Sequence, residues 1–298
     1  MSSQVFAGIV GHQGAQRILE SALTRPHHAY LLVGGDGLGA RTLGERFVRA
    51  LLGMDLQQSL AAHPDCVVLF GEEGKKTIAV EQVRDACARM ARRPVVAQRL
   101  VAFLPDADRL NEAGANALLK CLEEPPAGGV FVMAASSPDG LPATIQSRAV
   151  TLTLAPVPAQ EIDAWLNARG IAKGEREMAV RFSAGKPGRA LRYVEQADER
   201  VRAAEQARLI DALVTASTAG HAVAALDAPA RQADAADDPR AAWEDLLDGL
   251  MHALSDRLAE YPAATLTIGQ ALVSARRNVG GPISPRIWLE MGLVEGKH

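Results

Sequence analysis

Two groups of residues in this chain have the types and spacing to handle a phosphate-bearing ligand. The first is the glycine-rich turn Gly34-Gly35-Asp36-Gly37-Leu38-Gly39-Ala40-Arg41-Thr42, set between an apolar run and a helical pattern with Leu43, Phe47 and Leu51 on one face. Strand, glycine turn and helix is the context of a phosphate loop. Its glycines let backbone N–H groups converge on phosphate oxygens at a helix N-terminus, and its lysine adds charge at the β and γ phosphates. The second group is Leu104-Pro105-Asp106-Ala107-Asp108, which follows another apolar run. A hydrolytic phosphate-loop protein needs an acid there for Mg²⁺ and a second group to direct water.

Both groups are chemically incomplete. Anchoring G-x-x-x-x-G-K-[ST] on Gly34 and Gly39 puts Ala40 at the lysine and Arg41 at the hydroxyl. Sliding to Gly35 puts Arg41 at the lysine and Thr42 at the hydroxyl, but Ala40 then replaces the second glycine. A Cβ hinders close approach of phosphate, and a forked guanidinium is a poor substitute for a compact ammonium. No lysine precedes Lys75. Gly34, Gly37, Gly39, Ala40, Arg41 and Thr42 are thus read as a degenerate phosphate loop without hydrolysis. Passive nucleotide binding is an intermediate reading. The rival is a self-sufficient ATPase with Arg41 and Thr42 in the loop and Asp106 on the metal. For Asp106 and Asp108 a helix-start capping role competes with catalysis.

These groups need a scaffold, and the hydropathy pattern supplies one. Short apolar runs at Ala29 to Val33, Cys66 to Phe70, Leu100 to Leu104, Val130 to Ala134 and Val150 to Leu154 alternate with helical patterns. They read as buried parallel strands of an α/β domain. Val80, Val83, Cys87 and Met90 share one helix face, and Ala115, Leu118, Leu119 and Leu122 share another. Beyond Pro156 and Pro158 only helical periodicity remains. Three parts are expected: an α/β domain over 1–156, a small helical lid over 157–200 broken at Gly170, Gly174 and Gly185 to Gly188, and an all-helical domain over 201–298. Ala219 to Arg240, rich in Ala and Asp, reads as a long loop or loosely held helix.

At 298 residues, 48% hydrophobic and 22% charged, the chain has the makings of several globular domains and no apolar run able to span a bilayer. A net charge of −3 argues against a DNA-binding adaptor acting alone. Cys66, Cys87 and Cys121 are too dispersed for a disulfide framework or zinc ribbon and read as small buried hydrophobes. Met1 to Gly8 lacks the features of a signal peptide, so a cytoplasmic location is expected. His27 and His28 have no partner at metal-ligand spacing. Arg92, Arg93 and Arg99 read as a solvated helix end in preference to a DNA contact.

Three longer segments carry a resemblance. Ala107-Asp108-Arg109-Leu110-Asn111, Asn116-Ala117-Leu118-Leu119-Lys120-Cys121-Leu122-Glu123-Glu124-Pro125-Pro126 and Thr144-Ile145-Gln146-Ser147-Arg148-Ala149 resemble the bacterial clamp-loader AAA+ family. Ile9-Val10-Gly11-His12, His28-Ala29-Tyr30-Leu31-Leu32 and His63-Pro64-Asp65 extend the likeness, which covers about residues 5 to 195. It implies an AAA+ parallel-sheet domain, a lid and an all-helical collar for oligomerisation. In its register Pro105 replaces the Mg²⁺ carboxylate, Asp106 takes the place of the second acid and Ser136 falls near the first sensor, with a strand-end cap as the equal alternative for Ser136. Gly188 stands where the second-sensor arginine belongs, with Arg189 one residue out of register.

The Ser-Arg-Cys motif of the family stands here as Ser147-Arg148-Ala149, which keeps the arginine. The resemblance makes Arg148 a finger offered to nucleotide on a neighbouring subunit, in preference to the other reading of the residue as a salt-bridged surface arginine. A guanidinium supplied in trans stabilises charge on the transferred phosphoryl group by roughly 10³ to 10⁵ in rate. The four-cysteine zinc module common in the family is missing from the short Leu51 to Ala62 stretch, so neither metal nor cofactor is expected. The implied partners are the motor (tau/gamma) subunits and a clamp-opening delta subunit, in a ring that places the β sliding clamp on primed DNA. The implied role is a non-hydrolysing scaffold subunit.

Overall fold

The computed structural model describes residues 5–71, 77–255, 257–258 and 260–295, so Met1–Gln4 and Lys75 lie outside the described residues. Two compact units divide the chain, Met1–Glu161 and Ile162–His298.

The first unit is built on a parallel sheet. Its strands are β1 (Ala29–Val33), β2 (Cys66–Val68), β3 (Leu100–Leu104), β4 (Gly129–Ala135) and β5 (Val150–Thr153), in the order β2-β3-β4-β1-β5. Its helices are α1 (Gln13–Ala22), α2 (Ala40–Leu52), α3 (Val80–Met90), α4 (Glu112–Glu123) and the short α5 (Ala143–Gln146). Successive side chains of a strand point to opposite faces, so a sheet covered on both sides needs unbroken apolar runs. Tyr30 and Leu32 of β1, Val101 and Phe103 of β3 and Val132 of β4 pack with Leu19, Leu43 and Phe47 of α1 and α2. Leu31, Leu104 and Phe131 pack on the other side with Val83, Met90, Leu118 and Ile145 of α3, α4 and α5. Each fully buried Leu or Phe contributes roughly 1.5 to 3 kcal/mol.

All five expected strands are present, and the helix faces are as expected except at their margins. Ala86 joins Val83 and Met90 on the buried face of α3, while Val80, Cys87 and Leu119 are only partly buried. Cys66 is buried, and burial pushes its thiol up to about 12. Cys87 and Cys121 are instead half-buried and joined by a side-chain hydrogen bond between α3 and α4. That bond holds the Cys87 thiol above its ordinary value and the Cys121 thiol below.

The His-Pro-Asp segment has a structural use. Asp65 is fully buried, and its carboxylate accepts N–H bonds from Val95 at 2.6 Å, Val96 at 2.7 Å and Ala97 at 2.6 Å. Burial alone would raise its pKa, but the three donors together hold it below the ordinary carboxylate value. The loop between α3 and β3 is thereby pinned beside the strand it feeds. At its end Arg99 Nη2 donates to the Thr24 carbonyl at 3.0 Å, while Arg92 and Arg93 stay exposed.

Helices make up the second unit: α6 (Ala159–Asn167), which starts at the unit boundary, α7 (Lys173–Ser183), α8 (Pro187–Glu195), α9 (Ala197–Thr215), α10 (Ala219–Asp234), α11 (Pro239–Ser255), α12 (Pro262–Arg277) and α13 (Pro285–Glu295). Gly170 and Gly185 sit between helices with positive φ, whereas Gly174 and Gly188 lie within the first turns of α7 and α8. One core joins α9 to α13 through Ile210, Leu213, Leu226, Leu247, Leu272 and Leu289.

Of the loop or loosely held helix expected at Ala219 to Arg240, the structure has a helix, α10, with Pro229 inside it, followed by the start of α11. Thr218 caps α10 by accepting from His221 N at 3.2 Å. Ala222, Leu226, Ala230 and Ala233 form its buried face, where small side chains let neighbouring helices approach closely. Trp243 Nε1 donates to Asp234 at 2.7 Å and ties its end to α11. Tertiary packing outweighed the poor composition.

Candidate functional site

The glycine turn leaves β1 and enters α2 through two residues that need positive φ, Gly37 at 82° and Gly39 at 95°. Gly39 is the N-cap residue of α2, and Ala40 is the first helical residue, with its methyl group buried. The position that opens the helix therefore presents no cation. Gly34 N donates to the Ala135 carbonyl at 3.0 Å, which ties the turn to the end of β4. Leu38 points into the core, and its carbonyl lies 2.9 Å from His12 Nε2. Burial holds His12 below the ordinary histidine value.

Across the turn, Arg41 Nη1 lies 3.7 Å from Asp106 Oδ2, with 56% and 30% of the two side chains exposed. The guanidinium that could have gripped phosphate thus faces the carboxylate that could have held a metal. Thr42 is exposed one residue further along α2. The structure brings Gly34, Gly37, Gly39, Ala40, Arg41, Thr42 and Asp106 to one end of the sheet, with Pro105 directly after β3.

Asp108 departs from the helix-start reading. Its carboxylate accepts from Ser136 N at 3.0 Å and from the Ser136 hydroxyl, so it caps the end of β4. Asn111 caps α4 instead, accepting from Gly114 N at 2.7 Å. Ser136, near the first-sensor position, donates its hydroxyl to Asp108. Asp106 caps no helix with its side chain.

Arg148 stands at a separate corner. Ile145 is fully buried, and Gln146 Nε2 donates to the carbonyls of Pro138 at 2.7 Å and Leu141 at 2.9 Å, so α5 is anchored on both sides. Arg148 follows α5, and its side chain is 35% exposed. Nη2 donates to Glu123 Oε1 at 2.9 Å, and Nη1 to the Thr144 carbonyl at 3.0 Å and to Ser147 Oγ at 3.4 Å. Glu123 is the last residue of α4. Nothing in the segment Leu122-Glu123-Glu124-Pro125-Pro126 marks Glu123 as a partner of Arg148, 25 residues away; the pairing exists only because α4 and α5 lie side by side.

In the helical unit, Arg189 is buried. Nη2 donates to Gln206 Oε1 at 2.8 Å, while Nε and Nη1 lie 3.4 Å from Glu199 and Asp245 respectively. Nearby, Lys186 Nζ and Arg276 Nε bond Asp248 at 2.6 and 2.8 Å. Burial would raise the Asp248 pKa, but Lys186 and then Arg276 hold it below the ordinary value. Gly249 makes room: a Cβ there would come within 2.2 Å of the Gln206 side chain. These contacts join α8, α9, α11 and α12.

No group of His, Cys, Asp and Glu suited to a metal ion occurs among the described residues. No helix among them is long and apolar enough to cross a membrane.

Residues 12–158 match the family model described as DNA polymerase III, delta subunit. The DNA polymerase III subunit delta' of Escherichia coli (strain K12) is 37% identical over 183 residues, which cover 56% of this chain and 54% of that protein. The subunit delta' of Pseudomonas aeruginosa is 40% identical over 136 residues, 41% of this chain and 42% of that protein. The DNA polymerase III subunit tau of Salmonella typhimurium is 29% identical over 174 residues, 53% of this chain and 27% of that protein. The match thus spans about half the length of the delta' relatives. Over the residues of its α/β unit, the chain is similar to the DNA polymerase III delta and delta' subunits.

Proposed function

We propose that this chain is a non-hydrolysing, delta'-type subunit of a DNA polymerase III clamp loader, and that it lends Arg148 to nucleotide bound by a neighbouring motor subunit. The observation that carries the reading is the contrast between two arginines. Arg41 is turned to Asp106 across the glycine turn, whereas Arg148 is held at a corner with a third of its side chain exposed. A triphosphate with Mg²⁺ needs a compact cation and a metal-binding carboxylate, and Ala40 and Pro105 supply neither. The residues of the turn therefore do not fit a hydrolytic nucleotide site.

In this reading residues 1–156 form the AAA+ domain, 157–200 the lid and 201–298 the collar that joins the ring. The partners are the motor (tau/gamma) subunits and the clamp-opening delta subunit, and through the assembly the β sliding clamp and primer-template DNA. A ring with heterologous contacts suits one subunit completing another's site. The place of action is the cytoplasm.

Equilibrium dialysis with labelled ATP and Mg²⁺ tests the first half: the purified chain shows neither tight Mg²⁺-dependent binding nor turnover. Vigorous hydrolysis by the isolated chain sinks the reading. The second half is tested by Arg148→Ala in the reconstituted loader, which keeps assembly and slows ATP turnover.

A further inference from the structure

We infer that Glu123 is a positioning residue for Arg148, holding its guanidinium at the corner in the orientation in which a neighbour's nucleotide would meet it. The inference rests on the finger reading of Arg148 and adds a residue that the reading does not require. An arginine side chain has many rotamers, and an unrestrained finger loses that freedom each time it engages phosphate. Here the freedom is already restricted within the subunit. Glu123 Oε1 takes Nη2 at 2.9 Å, and the Thr144 carbonyl takes Nη1 at 3.0 Å. These are charge-assisted bonds in two directions, which define the guanidinium plane.

The anchors are themselves fixed. Glu123 ends α4, whose Leu118 and Leu122 are buried, and Thr144 belongs to α5, which is held by buried Ile145. A guanidinium carries five N–H donors, and these partners leave part of the fork open for phosphate oxygens. The pair is also open to solvent, with 35% of the Arg148 and 46% of the Glu123 side chain exposed. An exposed pair of this kind adds little to stability, so its persistence has more effect on orientation than on folding. Preorganisation raises the rate of a step by removing the ordering that step would otherwise require.

The test uses the complete chain reconstituted with motor and delta subunits, β clamp and primed DNA, and reads kcat and KM for ATP. Glu123→Ala is expected to lower kcat about three- to tenfold with KM unchanged, since ordering of the finger and not nucleotide affinity is lost. Glu123→Gln keeps an acceptor oxygen at the same reach and is expected to restore most of the rate. The double variant with Arg148→Ala is expected to be no slower than Arg148→Ala alone. In the isolated chain, NMR relaxation of the Arg148 guanidinium should report an ordered side chain that loosens in Glu123→Ala. Wild-type or faster turnover in Glu123→Ala, with Arg148→Ala slow, overturns the positioning role and leaves the finger intact. So do losses that multiply in the double variant. Full turnover in Arg148→Ala removes the finger reading itself.

Discussion

Arg148 in the α/β unit and Arg189 in the helical unit lie in segments that the family resemblance ties to nucleotide chemistry, and both are paired with carboxylates. They differ in burial. Arg148 has one carboxylate, one carbonyl and one hydroxyl as partners and a side chain 35% exposed. Arg189 has Glu199, Asp245 and Gln206 around a side chain only 2% exposed. A charge enclosed by its own fold is committed to holding helices together, because the desolvation it has undergone must be offset continuously. A charge held at a corner keeps donors for another molecule. Burial, more than residue type or motif, separates the structural arginine from the one proposed to act.

The largest expected effect tests the exposed side of this contrast. Arg148→Ala should slow hydrolysis at the site it serves by about 10³-fold in single-turnover assays of the loader. Its thermal midpoint should remain that of the wild type. A lowered midpoint with full turnover would make Arg148 a structural residue like Arg189.

Next comes the buried side. Arg189→Ala removes the buried cation between Glu199 and Asp245 and leaves them only the half-exposed Arg202, at 3.5 and 3.2 Å. A loss of about 3 to 5 kcal/mol in chemical denaturation is expected. Unchanged stability would show that the seam between α8, α9 and α11 does not depend on this charge.

The neighbouring Asp248 gives the seam a pH dependence. Its carboxyl is held below the ordinary value in the folded chain, so its contribution is complete above the unfolded pKa of about 3.9 and disappears as pH falls through the folded value. Asp248→Asn should cost about 2 kcal/mol at neutral pH. The gap from wild type should close in denaturation series taken below about pH 4. A gap independent of pH would show that the charge is not what binds Lys186 and Arg276.

Smaller again is Gly249→Ala. The new methyl group displaces Gln206 from Arg189 and should cost about 1 to 2 kcal/mol. Smallest is Arg41→Ala. Its pair with Asp106 is 3.7 Å long and half-exposed, so stability should move by less than about 0.5 kcal/mol. Loader turnover should not move at all. A fall in turnover would return the glycine turn to the list of working parts and weaken the contrast.

Much of this architecture was legible in the residues because burial on both faces forces unbroken apolar strands, as in Leu100–Leu104 and Ala29–Val33. The glycine turn was legible for a similar reason: Gly37 and Gly39 mark backbone that other residues adopt at a cost. Asp108 was misread because local logic made it a helix cap, whereas its partner Ser136 lies 28 residues away. For α10 the helix was one of two readings; the loop alternative and the loose hold failed because composition says nothing of the neighbours that cover Ala222, Ala230 and Ala233.

By itself, the order of residues determined the parallel α/β unit, the change to helices after Pro156, and the residue types Ala40 at the glycine turn and Pro105 after β3. These are properties of local pattern or of residue identity. Only the tertiary structure decided where each charge ended: Arg41 on Asp106, Asp65 under the loop at Val95, Arg189 within the helices, and Arg148 beside Glu123 with part of its surface open. An ion pair forms between residues brought together by packing, and its character follows from how much water remains around it. Neither quantity is carried by spacing along a chain.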